Sequence, residues 1–226
     1  MDNPPHQPWT DDDDSGDISE NAVPELHPNE DAGEALDQIR RDMHKIAREF
    51  ADGAISRAQF NAMYAHYSEK RTIIEKLLER NPETDAWRAA AAAGKTTFLR
   101  NRYEAHPMFY LVFAHGGRKP LLIGGRQPPN TAQHIYALLK AIWAMSEAER
   151  KIGVARKALD NGLWVVLAIG EHAFTLVIYA LQPSLTQVNR VRDLHDDFER
   201  ANRFAFERRL PPDRMVFTQR SLLEGS

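Results

Sequence analysis

Ala89-Ala-Ala-Ala-Ala-Gly94-Lys95-Thr96 has the loosest spacing of a phosphate-binding loop, in which backbone N–H groups and a lysine hold a nucleotide. A working loop of that kind follows a buried strand and uses glycines to bring successive N–H groups together. Here the run is poly-alanine, a strong helix former, behind a Pro-Glu-Thr-Asp break, so a short helix with a glycine stop is the expectation. Asp52-Gly53-Ala-Ile55 matches the middle of a calcium loop. With Gly53 at the sixth position, Arg48, Phe50 and Gln59 stand where calcium needs oxygen at positions one, three and twelve, so calcium is excluded. Asp193-Leu-His195-Asp196-Asp197 is the densest polar group, and Asp193 with Asp197 shares a helix face at i, i+4. Leu194 and Phe198 fall on the apolar stripe there, so the carboxylates are expected on the wet face. The nine histidines show no metal-ligand spacing, the chain has no cysteine, and neither a metal nor a cofactor is expected.

The most usable chemistry lies in two glycine turns with basic flanks, His115-Gly116-Gly117-Arg118-Lys119 and Gly124-Gly125-Arg126. Consecutive glycines present N–H groups to an anion, and guanidinium groups bind phosphate. Gly116, Gly117, Arg118, Lys119, Gly125 and Arg126 are therefore the candidate ligand residues for a phosphate-ligand or nucleotide-binding sensor or enzyme. The competing reading is turn chemistry, with glycine supplying positive φ and the cations keeping a hairpin soluble. No catalytic set emerges, which favours a non-enzymatic module.

Charge is distributed unevenly around a net of -3. Residues 1–33 carry ten acidic side chains and no Lys or Arg, leaving 29 basic against 22 acidic residues in the remainder. With Pro4, Pro5, Pro8, Pro24 and Pro28 and few large apolar residues, 1–33 is expected to be a disordered acidic tail, either a solubilising tail or a strap over a basic surface. The surplus of seven positive charges in the body is modest and interleaved with acids, so nucleic acid is not an expected partner. No run reaches the ~20 apolar residues of a membrane span, and the N-terminus lacks a secretory pattern, so a cytoplasmic protein is expected.

The elements that position these residues begin with a helical hairpin over 34–80. Leu36, Ile39, Met43, Ile46 and Phe50 form one stripe; Phe60, Met63, Tyr64, Tyr67, Ile74, Leu77 and Leu78 form the next. Ser56 with Gln59 makes a capping box, and Ile55 with Phe60 a hydrophobic staple. Residues 81–104 form a linker with a short Ala-rich helix. Residues 105–226 form the sheet domain: strands at 108–113 and 121–123, a helix from Asn130 or Thr131 running as far as Leu159 with Gly153 as its weak point, strands at 163–169 and 174–181, and a helix capped by Ser184 and Gln187. Met215 to Thr218 is expected as a short edge strand. The fold class is α+β: an N-terminal helical hairpin followed by a two-layer domain with an antiparallel sheet in ββα-ββα order.

That order over about 105–210 resembles the roadblock/longin and profilin-like group, and the resemblance implies dimerisation and docking on a small GTPase or signalling assembly. Phe50-Ala-Asp-Gly-Ala-Ile-Ser-Arg-Ala-Gln-Phe60 is similar to the turn of SHOCT-type helical hairpins, which implies oligomerisation or attachment. The expected partners are therefore a second copy and another protein, with no membrane. Phe60, Tyr64, Tyr67 and Trp87 are the candidate interaction residues, as surplus aromatic surface.

Overall fold

The computed structural model describes residues 28–224 apart from 93, 95, 147 and 148. Most of the acidic tail, including Asp11 to Asp14, lies outside the described residues. Its last residues do not: helix α1 (Pro28–Ala51) begins at Pro28, six residues inside the span expected to be disordered. Proline is favoured in the first turn of a helix because its missing N–H has no partner there anyway.

Helix α1 ends in a Schellman motif. Gly53 takes φ 72°, its N–H reaches the Phe50 carbonyl at 3.0 Å, and the Ala54 N–H reaches that of Glu49 at 2.9 Å. Helix α2 (Arg57–Arg80) then starts on the expected capping box: the Gln59 N–H donates to Ser56 Oγ at 3.3 Å and the Ser56 N–H to Gln59 Oε1 at 2.8 Å. The hairpin interior has two apolar clusters, Ile39, Met43, Ile74 and Trp87 in one and Ile46, Ile55 and Met63 in the other. The linker holds two short helices rather than one, α3 (Trp87–Ala91) and α4 (Thr96–Arg102).

The sheet is antiparallel, with β1 (Pro107–Ala114), β2 (Leu122–Gly125), β3 (Gly153–Ala158), β4 (Trp164–Ile169) and β5 (Ala173–Tyr179) in the order β2-β1-β5-β4-β3. The α+β class, the hairpin and the antiparallel sheet hold, while three details differ from the sequence expectation. First, helix α5 (Ala132–Ala144) stops at Ala144 and residues 153–158 are strand β3, so the order is ββα-βββα. Gly153 is thus the start of a strand. Asp160-Asn-Gly162 closes the β3–β4 hairpin, with the Leu159 N–H donating to the Leu163 carbonyl at 2.8 Å and Gly162 at φ 81°.

Second, there are three layers. Phe109, Leu111, Phe113, Val165, Phe174, Leu176 and Ile178 face α5, while the alternate positions Tyr110, Val112, Val166, Ala168, Val177 and Tyr179 face helix α6 (Leu185–Glu207). The central strand β5 is buried at every position, as expected of a strand covered on both sides.

Third, residues 215–218 form no strand. The Val216 N–H donates to Asn202 Oδ1 at 2.8 Å and Asn202 Nδ2 to the Val216 carbonyl at 2.6 Å, so an asparagine on α6 takes the place of a neighbouring strand. A single 3-10 turn (Thr218–Leu222) then places Gln219 and Leu222 under α6.

Candidate functional site

The two glycine turns sit at opposite ends of one hairpin. Residues 115–120 follow Ala114, whereas Gly125 is opposite Phe109. Five residues of strand, roughly 16 Å, lie between these ends, so Arg118 and Lys119 do not share a site with Arg126. Several of the groups are also engaged locally. The Gly117 N–H closes the turn onto the Ala114 carbonyl at 3.0 Å, and the Arg118 guanidinium lies 5.3 Å above the Trp143 ring. A Cβ on Gly124 would overlap the Tyr110 ring, and Gly125 takes φ 79° so that the Arg126 N–H reaches the Met108 carbonyl at 3.0 Å. Gly117, Gly124 and Gly125 have structural reasons in β1 and its turns. Arg126 lines an open recess with Met108, Pro128 and Pro129.

The Ala-rich stretch is itself helical as far as Ala91, in α3, and among the described residues no strand precedes it; Lys95 lies outside them. A Cβ at Gly94 would stand 2.9 Å from the His66 ring, which accounts for that glycine by packing.

Of the aromatic candidates, Trp87 is buried in the hairpin interior and Tyr67 packs against both hairpin clusters. They are core, not surplus surface, because α3 folds back over α1 and α2. Phe60 stacks between Phe50 and Tyr64, with centroids 4.7 and 5.2 Å away, and only Tyr64 among the four is exposed.

The structure builds a polar cluster that local sequence did not show. Asp193 and Asp197 do lie on the wet face, paired with Arg192 at 2.8 Å and Arg200 at 2.9 Å. His195 between them turns inward and is buried against β5. Its Nδ1 lies 2.9 Å from Thr175 Oγ1, which receives Gln219 Nε2 at 3.2 Å. His195 Nε2 has no hydrogen-bond partner and stands 3.8 Å from Glu199 Oε1. Burial holds the imidazole pKa below its usual value, against the opposing pull of Glu199 and Asp196. Glu199 itself accepts from the N–H groups of Glu171, His172 and Ala173, each at 2.8 Å, and so closes the β4–β5 turn with a carboxylate. Thr, His and Glu in succession resemble a hydrolytic triad, but Thr175 and His195 are sealed between sheet and helix where no substrate reaches. The cluster positions secondary structure. Among the described residues no group of three or more His, Asp or Glu side chains converges to hold a metal ion.

Both outer strands of the sheet, β2 and β3, have one unpaired edge, and that of β3 lies beside an apolar groove. Strand β3 pairs with β4 alone, leaving its other edge free. Beside it runs an apolar groove of about 170 Å³ between α5 and the sheet, lined by Leu138, Ile142, Ala155, Lys157, Val165 and Leu167. Helix α5 covers β1 and β5 but stops short of β3, and the loop joining them leaves Ile152 71% exposed and Met145 38% exposed. Arg156 points to the other face, where its guanidinium donates to the Pro183 carbonyl. Lys157 is thus the cation of β3 on the groove side. β3 was the strand hidden from the sequence, and with it the groove.

Compared with protein-family models, curated proteins and solved structures, the chain matches none. No helix among the described residues is long and apolar enough to cross a membrane.

Proposed function

We propose that the chain is a cytoplasmic, non-enzymatic interaction module that self-associates and docks a protein partner along the free edge of β3. The observation that carries this reading is an unpaired strand edge lying against an apolar groove. An edge strand offers a row of N–H and C=O groups to a further strand, and a neighbouring pocket selects the side chain that comes with it. The first glycine turn favours it indirectly, because the Gly117 N–H closes its own turn and the Arg118 guanidinium lies over Trp143. A small GTPase or signalling assembly, the partner class implied by the roadblock/longin-like resemblance, belongs to the same reading.

Sedimentation velocity over a range of concentrations, in ~0.15 M and in ~0.5 M salt, tests it. A concentration-dependent dimer is expected. Ala155→Trp, which plugs the groove from an exposed position on β3, is expected to return the chain to monomer. A monomer at every concentration in both salts, or a dimer indifferent to Ala155→Trp, would overturn the reading.

A further inference from the structure

We infer that the groove beside β3 is covered by the chain's own acidic N-terminal segment, with the Trp9 ring in the groove and Asp11 to Asp14 against Lys151 and Lys157. The inference rests on the docking reading above, because the segment would compete for the surface that a second copy uses.

Charge complementarity selects this occupant. Residues 1–33 hold ten acids and no Lys or Arg, and residues 150–157 hold four bases and no acid. Along α6, by contrast, the exposed arginines are met by acids of their own helix: Arg192 pairs with Asp193, Arg200 with Asp197 and Arg203 with Glu207. Among the described residues neither Lys151 nor Lys157 has an acidic group within ion-pair distance.

Size and reach agree. An apolar cavity of ~150 Å³ holds a benzene ring, so a groove of about 170 Å³ takes one aromatic side chain. Trp9 stands two residues before the Asp run. The path from Pro28 to β3 runs ~36 Å down α1 to Gly53. There the Gly53 carbonyl receives Thr186, three residues beyond the Pro183 carbonyl that holds Arg156. Asp11 stands seventeen positions before Pro28. Extended, that stretch spans up to ~56 Å, about 20 Å more than the length of α1.

The absence of cysteine makes the test clean. A nitroxide on Ser15→Cys in the full chain is expected to remove more than half of the amide signal intensity at Val154 to Lys157, Leu138 and Ile142. The signals are expected to recover in ~0.5 M salt and in the Asp11–Asp14→Asn variant. Loss of intensity along α6 instead, no loss anywhere, or loss only when spin-labelled and isotope-labelled copies are mixed would overturn the inference. In sedimentation at ~0.15 M salt the Asp11–Asp14→Asn variant is expected to dimerise several-fold more tightly than wild type. A groove-dependent dimer without the β3 signal loss sinks the inference and leaves the docking reading standing; β3 signal loss without any dimer does the reverse.

Discussion

Gln59 and Gln187 perform the same two tasks at the starts of two different helices. Each uses Oε1 to accept the N–H of its N-cap serine, at 2.8 Å from Ser56 and 3.0 Å from Ser184. Each uses Nε2 to hold a carbonyl of the segment joining hairpin to sheet: Gln59 reaches Arg100 at 2.9 Å and Gln187 reaches Ala105 at 2.7 Å. The α2 and α6 capping boxes therefore clamp the connection between them from both ends. An Arg100–Glu49 ion pair adds a third tie.

Replacing Gln187 by Ala removes a cap and leaves the Ala105 carbonyl, on a fully buried residue, without its donor, for a loss of about 2 kcal/mol in urea unfolding. Gln187→Glu keeps the acceptor for Ser184 but sets a carboxylate against that carbonyl. Its loss should persist at neutral pH and shrink on acidification, which separates the two tasks.

Two Schellman motifs in the chain differ in the residue at the left-handed position. Gly53 has φ 72° and no Cβ; Arg209, which ends α6, has φ 52° and carries a side chain. Its N–H reaches the Phe206 carbonyl at 3.1 Å and the Leu210 N–H reaches that of Ala205 at 2.8 Å. A non-glycine residue there costs of order 1 kcal/mol. Arg209→Gly is therefore expected to raise the melting temperature, and Gly53→Ala to lower it by more than the glycine at 209 gains. The alanine methyl would stand 2.6 Å from Leu185 Cβ as well as straining the turn.

His195 makes stability depend on pH. It faces Thr175 of β5, Gln219 of the C-terminal segment, Glu199 and Asp196 of its own helix, and His115 of the adjoining turn, and burial keeps its pKa below 6.5. The unfolded chain takes up this proton first, so the contribution is whole above pH 6.5 and is lost as pH falls below it, at up to ~1.4 kcal/mol per unit. Denaturant titrations at stepped pH values should show this slope, and His195→Gln should flatten it.

Glu199 is the acceptor for three consecutive N–H groups, so Glu199→Ala is expected to cost about 2 to 3 kcal/mol. Hydrogen exchange at Glu171, His172 and Ala173 should accelerate well before global unfolding. Unchanged protection at those three amides would show that the carboxylate does not hold the turn.

Local codes were legible in the sequence and distant ones were not. The two capping boxes and the glycine end of α1 are written within six residues, so spacing alone gave them. Strand β3 reads Gly-Val-Ala-Arg-Lys-Ala: an edge strand with one face half uncovered needs only Val154 on its buried side, so no alternation marks it. The candidate groove depends on that strand and disappeared with it. Trp87 looked like spare aromatic surface because nothing nearby shows that α3 folds back over the hairpin. The inward turn of His195 was not legible because its partners, Thr175 and Gln219, are 20 and 24 residues away.

The Gly53 carbonyl, 133 residues upstream in sequence, accepts both the N–H and the hydroxyl of Thr186, each at 3.2 Å. During synthesis the hairpin leaves the ribosome long before α6 exists, so the carbonyl at its tip waits for a partner that arrives last. The first turn of the final helix thus docks onto a surface formed early. The hairpin serves as a template against which the C-terminal fifth of the chain is seated, and a contact of such long sequence separation belongs to the slowest stage of folding.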